Sequence, residues 1–334
     1  MTITLATTPD LKVVRNYSAN DHVQGFYLLA KIETRPKKNG ELFLIVELLD
    51  STAKLDGKMW EGFEDALESL QAGDAVFVDG RLDIYNNTPG LVISVLRKAT
   101  EQEVPDRRNF LPHSALSATK ANEQLMELVE TVKEPYLHQL LLSVFDDLGL
   151  RKKFLETPGG KNWHHSTVGG LAEHTLSMAK LAENACLRYP QLHRDLLIAG
   201  TLLHDIGKVF ELEFNPAPDY TSEGRLLGHI TQGTLLIEER IRGIEGFPAE
   251  LRKQLLHLVL SHQGEPEKGS PIKPMTLEAL VLHYLDELDS RVSAFEQVRA
   301  RTPETQEFSD YQRLMERFFY FRSPDEINKG NEYE

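Results

Sequence analysis

The spacing of apolar residues changes period once along the chain, near residue 100, and that change most limits what the chain can fold into. Before it, short apolar runs occur at Val23–Ile32, Leu42–Leu49, Ala75–Val78 and Leu91–Leu96. Turn residues separate them: Lys38-Asn39-Gly40, Asp56-Gly57, Gly73-Asp74 and Asn86-Asn87-Thr88-Pro89-Gly90. Short runs bounded by Gly, Asn, Asp and Pro are strand signals, and with a helix-like patch at Gly62–Leu70 they predict a small closed barrel. Residues 101–118 carry two prolines and no period, which predicts a linker. From 119 onward the spacing is helical, as at Leu125, Leu128, Val129 and Val132, then at Leu137, Leu140, Leu141, Val144, Phe145 and Leu148. Further helices are expected at 169–188, 194–206, 229–243, 249–262 and 276–300. Gly207 and Gly264 stand where C-caps would fall, and Thr276 stands at an N-cap. The expected architecture is multidomain α+β: a β-barrel over 1–100, the linker, an all-α domain over 119–322 and a flexible tail at 323–334.

Composition narrows the classes. Hydrophobic residues make up 41% and charged residues 26% of the chain, as in folded globular proteins. The longest apolar stretch, near Leu196–Leu203, is far short of the ~20 residues that span a bilayer, so no membrane segment is expected. The N-terminal stretch lacks a basic region followed by an apolar core, so no signal peptide is expected either. Cys186 is the lone cysteine and cannot form an internal disulfide, which fits a cytoplasmic setting. The net charge of −14 argues against a surface coated in basic residues. Residues 1–100, with 11 basic and 14 acidic side chains, are only mildly acidic.

The barrel pattern is that of the OB type, which binds single strands by stacking bases on aromatics. Phe26, Tyr27, Phe43, Trp60, Phe77 and Tyr85 are the candidates. Strand alternation sends most of them inward, and Trp60 and Tyr85 are the two expected at the surface. Arg35, Lys37 and Lys38 form a basic loop suited to a backbone phosphate, or simply a solvated hairpin tip. In the last stretch, the aromatics of Phe308–Phe321 are expected to pack a helix, while an exposed cluster would point to a homo-oligomer.

Most of the twelve histidines fall between 164 and 262. His204-Asp205, at the end of an expected helix, sets an imidazole beside a carboxylate. That is a ligand set for a divalent ion such as manganese, iron, zinc or magnesium, and not for a thiolate-bound zinc. His174 lies on the preceding helix with Met178 and Leu181. Asp286 lies on the last long helix amid Leu282, Leu285 and Leu288, where a carboxylate is costly unless it is paired or binds a cation. Asp289, one turn on and on nearly the same face, is a rival to Asp286 or an exposed charge, and the exposed charge is the preferred reading.

The segments GGLAEHTLSMAKLAE (169–183), AGTLLHDIGKV (199–209) and LVLHYLDELDSRV (280–292) resemble the metal-dependent phosphohydrolase superfamily named for its His-Asp pair. Within that superfamily, KNWHHSTVGGLAEHT (161–175), TSEGRLLGHI (221–230) and the stretch 260–290 are similar to the YhaM-type 3′-to-5′ exoribonucleases, which also place an OB-type barrel before the helical domain. The resemblance implies that His174, His204, Asp205 and Asp286 hold one metal. It further implies that His229 and His262 serve a second, with Asp205 bridging both. Mn2+ is the first expectation for the metal, with Mg2+, Fe2+ and Co2+ as alternatives. Lys208 matches a lysine of the superfamily that could meet a phosphate oxygen, or it could stabilise a helix C-terminus. Lys161, His164 and His165 could bind the scissile phosphate or protonate the leaving oxygen, and His165 could equally orient a ligand. The implied activity is hydrolysis of single-stranded RNA, or DNA, to nucleoside monophosphates. The alternatives are a phosphodiesterase acting on a small or cyclic nucleotide, and a non-catalytic single-strand-binding protein.

Overall fold

The computed structural model describes residues 7–85, 88–161, 165–214, 218–303, 305–313 and 315–321. His164, Asn86-Asn87 and the expected tail at 323–334 lie outside the described residues. The chain divides into two compact units, Met1–Ala115 with Leu212–Thr221, and Leu116–Glu211 with Ser222–Glu334.

The first unit begins with a helical turn α1 (Leu11–Val14) and continues through β1 (His22–Pro36), β2 (Leu42–Leu49) and β3 (Lys54–Met59). A short helix α2 (Glu64–Ser69) follows, then β4 (Ala75–Tyr85) and β5 (Thr88–Lys98). The five strands close into a barrel in the order β1-β2-β3-β5-β4, the OB arrangement. All pairings are antiparallel except β3 with β5, which run parallel and meet only at Gly57↔Leu91 and Lys58↔Val92. The Asp56-Gly57 turn expected from sequence is instead the middle of β3. There Lys54, Asp56 and Lys58 face outward, and Leu55, Gly57 and Met59 face the core. Gly57 is needed for closeness: a Cβ there would sit 2.5 Å from Ile93 Cδ1 and 2.9 Å from Val46 Cγ2. Phe26 and Tyr27 are wholly buried and so are lost to any surface role.

The second unit is helical. Its elements are α3 (Ala118–Thr131), α4 (Pro135–Phe145), α5 (Leu148–Glu156), α6 (Gly170–Arg188), α7 (Arg194–Leu203) and α8 (Lys208–Glu211). After a two-stranded hairpin that belongs to the first unit, β6 (Leu212–Phe214) and β7 (Pro218–Tyr220), come α9 (Ser222–Arg242), α10 (Ala249–Ser261) and α11 (Leu277–Arg301). Side chains cap several starts: Ser117 on α3, Asp147 on α5 and Thr276 on α11 each accept a backbone N–H of the first turn. The apolar stripes of α3, α4, α6, α7 and α10 meet in one core that includes Leu125, Leu140, Phe145, Leu176, Leu197 and Leu258.

One expectation is corrected. Gly207 does not have the left-handed backbone of a C-cap. It allows α9 to approach, since a Cβ there would lie 1.9 Å from His229 O. Among the described residues of 308–321 the chain doubles back through single bridges, Phe308↔Tyr320 and Gln312↔Arg317, and the expected packing on a helix is present. Phe319 and Phe321 pack against Phe295 of α11 at ring separations of 5.0 and 5.4 Å, while Phe308, Tyr311, Phe318 and Tyr320 are exposed. No helix among the described residues is long and apolar enough to cross a membrane.

Candidate metal centre

Five elements deliver ligand-type side chains to one buried point. His174 lies on the core face of α6, His204 ends α7 and Asp205 opens the turn after it. His229 is the first residue beyond a kink at Gly228 in α9, His262 ends α10, and Asp286 lies on α11. His174, His204, Asp205 and His262 are at most 2% exposed.

The tautomers follow from what Nδ1 meets. His204 Nδ1 faces the Thr201 carbonyl at 2.8 Å, and His262 Nδ1 faces the Val259 carbonyl at 2.7 Å. A carbonyl only accepts, so both rings carry their proton on Nδ1. Carboxylates do the same for the other two rings: Asp289 at 2.7 Å from His174 Nδ1, and Glu211 at 3.0 Å from His229 Nδ1. In the neutral ring each Nε2 is then a lone pair, and His262 Nε2 is met by the Gln263 amide at 3.1 Å, as an acceptor should be.

The four Nε2 atoms converge on carboxylate oxygens. His204 Nε2 lies 3.2 Å and His174 Nε2 3.9 Å from Asp205 Oδ2, and His174 Nε2 lies 3.2 Å from Asp286 Oδ1. On the other side, His229 Nε2 and His262 Nε2 lie 3.4 and 3.6 Å from Asp205 Oδ1. Asp205 therefore faces two groups, one oxygen to each. The ligand atoms of His174, His204 and Asp286 fall within 4.8 Å of one another, as do those of Asp205, His229 and His262. Nε2 of His204, Nε2 of His229 and Oδ1 of Asp205 are buried without a hydrogen-bond partner. Acceptors left facing acceptors away from water are costly, and a cation between them removes the cost. The donor set of imidazole nitrogen and carboxylate oxygen fits a divalent ion.

The electrostatics agree. Burial opposes charge on His174, but Asp286 and Asp289 outweigh it and raise its pKa to about 9. Burial and then repulsion from His204 push His262 down to about 3. Asp286 is held well below the carboxylate range, since His174 overcomes the effect of burial. Asp205 is also depressed, with Lys208 and then His204 overcoming burial. Lys208 is buried, with Nζ 2.6 Å from Asp205 Oδ2 and donating to Gly159 O at 2.7 Å. Its ammonium is therefore held at the His-Asp pair and at the loop before α6.

Asp289 was expected to be exposed, and it is not. Its side chain accepts from His174 Nδ1, from His165 Nε2 at 3.0 Å and from the Ser177 hydroxyl, and the residue is 9% exposed. His165 also contacts Glu173, 3.3 Å from Nδ1, and takes a left-handed backbone with φ 53°. Gly159 N–H donates to the His165 carbonyl at 2.8 Å, and a Cβ on Gly170 would lie 1.9 Å from that oxygen. Asp289→Ala strands these donors in a buried place. It is expected to cost about 1–3 kcal/mol, read as a lowered midpoint in denaturant unfolding. Glu211 is the residue that sequence reasoning missed, and Asp289, weighed as a rival to Asp286, was set aside as an exposed charge. The three-residue step from Asp286 was a signal for Asp289, but nothing local marks Glu211.

Of the nucleic-acid candidates, Arg35, Lys37, Trp60 and Tyr85 belong to the first unit and Lys161 to the second. On the barrel, Tyr85 is 68% and Trp60 42% exposed, with Trp60 stacked on Phe43 at 4.7 Å. Lys58 Nζ stands 6.0 Å from the Tyr85 ring centroid, beside a cavity of about 300 Å³ lined by Asp56, Lys58, Asp83, Tyr85 and Thr88–Val92. Arg35 pairs with Glu33 at 2.7 Å and Lys37 with Glu41 at 3.3 Å, so two of the three cations of the expected phosphate loop have acidic partners. Lys161 is half-buried in the loop before α6.

A helical domain that brings four imidazoles and two carboxylates to one buried point could hold a divalent metal. Residues 171–291 match the family model of the HD domain, a domain that is in general a metal-dependent phosphohydrolase. The chain is thus an α+β protein in which a closed OB-type barrel is followed by a helical HD domain. Solved structures similar to part of the chain include a replication protein A heterotrimer bound to single-stranded DNA, at 15% identity over 27% of this chain and 67% of that one, with a TM-score of 0.22. PriB from Ralstonia solanacearum is 16% identical over 25% of this chain and all 100% of its own, with a TM-score of 0.23. The second OB-fold domain of replication protein A from Methanococcus maripaludis is 16% identical over 25% of this chain and 90% of that one, with a TM-score of 0.21.

Proposed function

We propose that the protein is a metal-dependent 3′-to-5′ exoribonuclease that hydrolyses single-stranded RNA, with DNA as a second substrate, to nucleoside monophosphates. The observation that carries the reading is the division of Asp205 between two groups of imidazoles, the donor arrangement of a site for two ions. His174, His204 and Asp286 would hold one, His229 and His262 the other, with Asp205 common to both. Mn2+ heads the list on the resemblance to the exoribonucleases, and the mixed imidazole and carboxylate set also admits other divalent ions. Divalent ions bound there supply a water of lowered pKa and positive charge toward the phosphodiester.

The remaining residues orient. Lys208 balances the charge of Asp205 and ties the loop before α6 to it. His165 has a carboxylate at each ring nitrogen, Glu173 and Asp289, which favours an orienting role over that of proton donor. On the barrel, Tyr85 and Trp60 offer exposed rings for base stacking, which contributes about 1–3 kcal/mol per base. A polymer substrate gives that platform a use, whereas a small nucleotide does not.

The test is incubation of the full chain and of His204→Ala with Mn2+ and a 5′-labelled single-stranded RNA. A ladder that shortens from the 3′ end, absent with chelator and in the variant, is expected. Cleavage of a small phosphodiester reporter with the RNA left intact would replace this reading with that of a small-nucleotide phosphodiesterase. RNA binding with neither substrate turned over would indicate a non-catalytic binding protein.

A further inference from the structure

The two halves of the cluster are supported differently, and the support of the second half lies in a part of the chain that no motif marks. Gly228 takes φ 69° and ψ 157°, which breaks α9 and makes His229 the first residue of a new helical run. An amide at such a start has no partner within its helix. Glu211, the last residue of α8, provides one: its Oε1 accepts from His229 N at 3.0 Å. The same carboxylate takes the His229 ring, with Oε1 and Oε2 each 3.0 Å from Nδ1. One side chain therefore fixes both the backbone and the ring of His229.

The surrounding packing holds Glu211 in turn. A Cβ on Gly224 would lie 2.3 Å from Glu211 O and 2.7 Å from its Cα, and a Cβ on Gly207 would lie 1.9 Å from His229 O. These close approaches leave the backbones of Glu211 and His229 little room to shift. His262, the other imidazole of this half, is placed by its own helix through Val259 O. His174, in the first half, is placed by Asp289 and not by Glu211.

We propose that Glu211 is a positioning residue for the second metal ion alone, acting through His229 by setting its tautomer and its place at the restart of α9. This rests on the two-ion reading above. Loss of a group that orients a metal-bound histidine lowers metal affinity by about 10–100-fold. The expected consequence is a protein that keeps its first ion and binds the second that much more weakly.

The experiment is Mn2+ binding to the metal-stripped full chain by calorimetry, with electron paramagnetic resonance to detect a spin-coupled pair. The variants are Glu211→Ala, Glu211→Gln and Gly224→Ala, each checked for folding by circular dichroism. The wild type should bind two ions and show the coupled signal. Glu211→Ala should bind the first with unchanged affinity and the second about 10–100-fold more weakly, with the coupled signal lost at limiting metal. Glu211→Gln keeps an acceptor oxygen and should recover part of the loss, and Gly224→Ala should reproduce the loss with the carboxylate still present. Two ions bound by folded Glu211→Ala or Glu211→Gln with wild-type affinities would overturn the proposal, as would equal weakening of both ions. A wild type that binds fewer than two ions would instead overturn the two-ion reading, and this inference with it. Should Glu211→Ala not fold, the Gln variant decides.

Discussion

Asp205→Ala is expected to remove the proposed metal-dependent turnover and, if the centre holds two ions as proposed, to lower bound metal to less than one. Asp205 is the only carboxylate among these residues that faces both groups, with Oδ2 toward His174 and His204 and Oδ1 toward His229 and His262. Losing a partner that merely orients a ligand costs about 10–100-fold in affinity or activity, so losing the shared ligand should exceed the top of that range. The same change removes the acidic partner of buried Lys208. Breaking a buried pair from one side costs about 3–5 kcal/mol, so a fall in stability should accompany the loss of metal. Asp205→Asn keeps the volume and an acceptor for Lys208, and so separates the two effects. It should retain most of the stability and still fail to hold two ions, as read by thermal melting and metal analysis. An Asn variant with two bound ions and full activity would remove Asp205 from the centre.

Metal affinity should rise steeply with pH. In the metal-free protein His174 has a pKa raised from 6.5 to about 9 by Asp286 and Asp289, against the effect of burial. At neutral pH an incoming ion must displace that proton, so apparent affinity should gain about tenfold per pH unit, roughly a hundredfold between pH 7 and pH 9. His262, pushed down to about 3, is neutral throughout and adds nothing to the slope. The stability of the metal-free protein runs the opposite way. A group with a raised folded pKa contributes fully below its unfolded value of 6.5, and its contribution fades as pH climbs through about 9. Melting temperature without metal should therefore fall across that window while the increment from added Mn2+ grows. Release of about one proton per first ion at pH 7, measured in buffers of different ionisation enthalpy, checks the same point. Affinity that stays flat from pH 7 to pH 9 would show that His174 is already neutral before metal enters.

What was legible in the sequence was whatever is written locally. The His204-Asp205 pair, a histidine on the helix before it and an aspartate among leucines on the last helix could be read because helical periodicity places each on a buried face. The barrel was legible from strand runs and turn residues, apart from β3. There a glycine required by close packing against Ile93 and Val46 mimicked a turn. Asp289 was misjudged because charge on a helix usually faces water, and its burial depends on His165 and Ser177 arriving from elsewhere in the chain. Glu211 lies 18 residues from His229, with a hairpin and a helix kink between them, so only the folded chain brings the two together. The aromatics of 308–321 could be read as packing on a helix, as Phe319 and Phe321 do on Phe295, but the bridges that fold the segment back are not written locally.

The closure of the barrel has a consequence for its fluctuations. Two parallel residue pairs join β3 to β5, whereas every other neighbouring pair of barrel strands shares a longer antiparallel ladder. The cylinder therefore has a seam, and opening there breaks the fewest ladder hydrogen bonds, so amide exchange should start there. The cavity beneath Tyr85 and Lys58 is lined from both sides of that seam, by Asp56 and Lys58 on one strand and Gly90–Val92 on the other. A strand of nucleic acid lying in it would act as a clasp, slowing exchange at Gly57 and Val92 before the rest of the barrel registers its arrival.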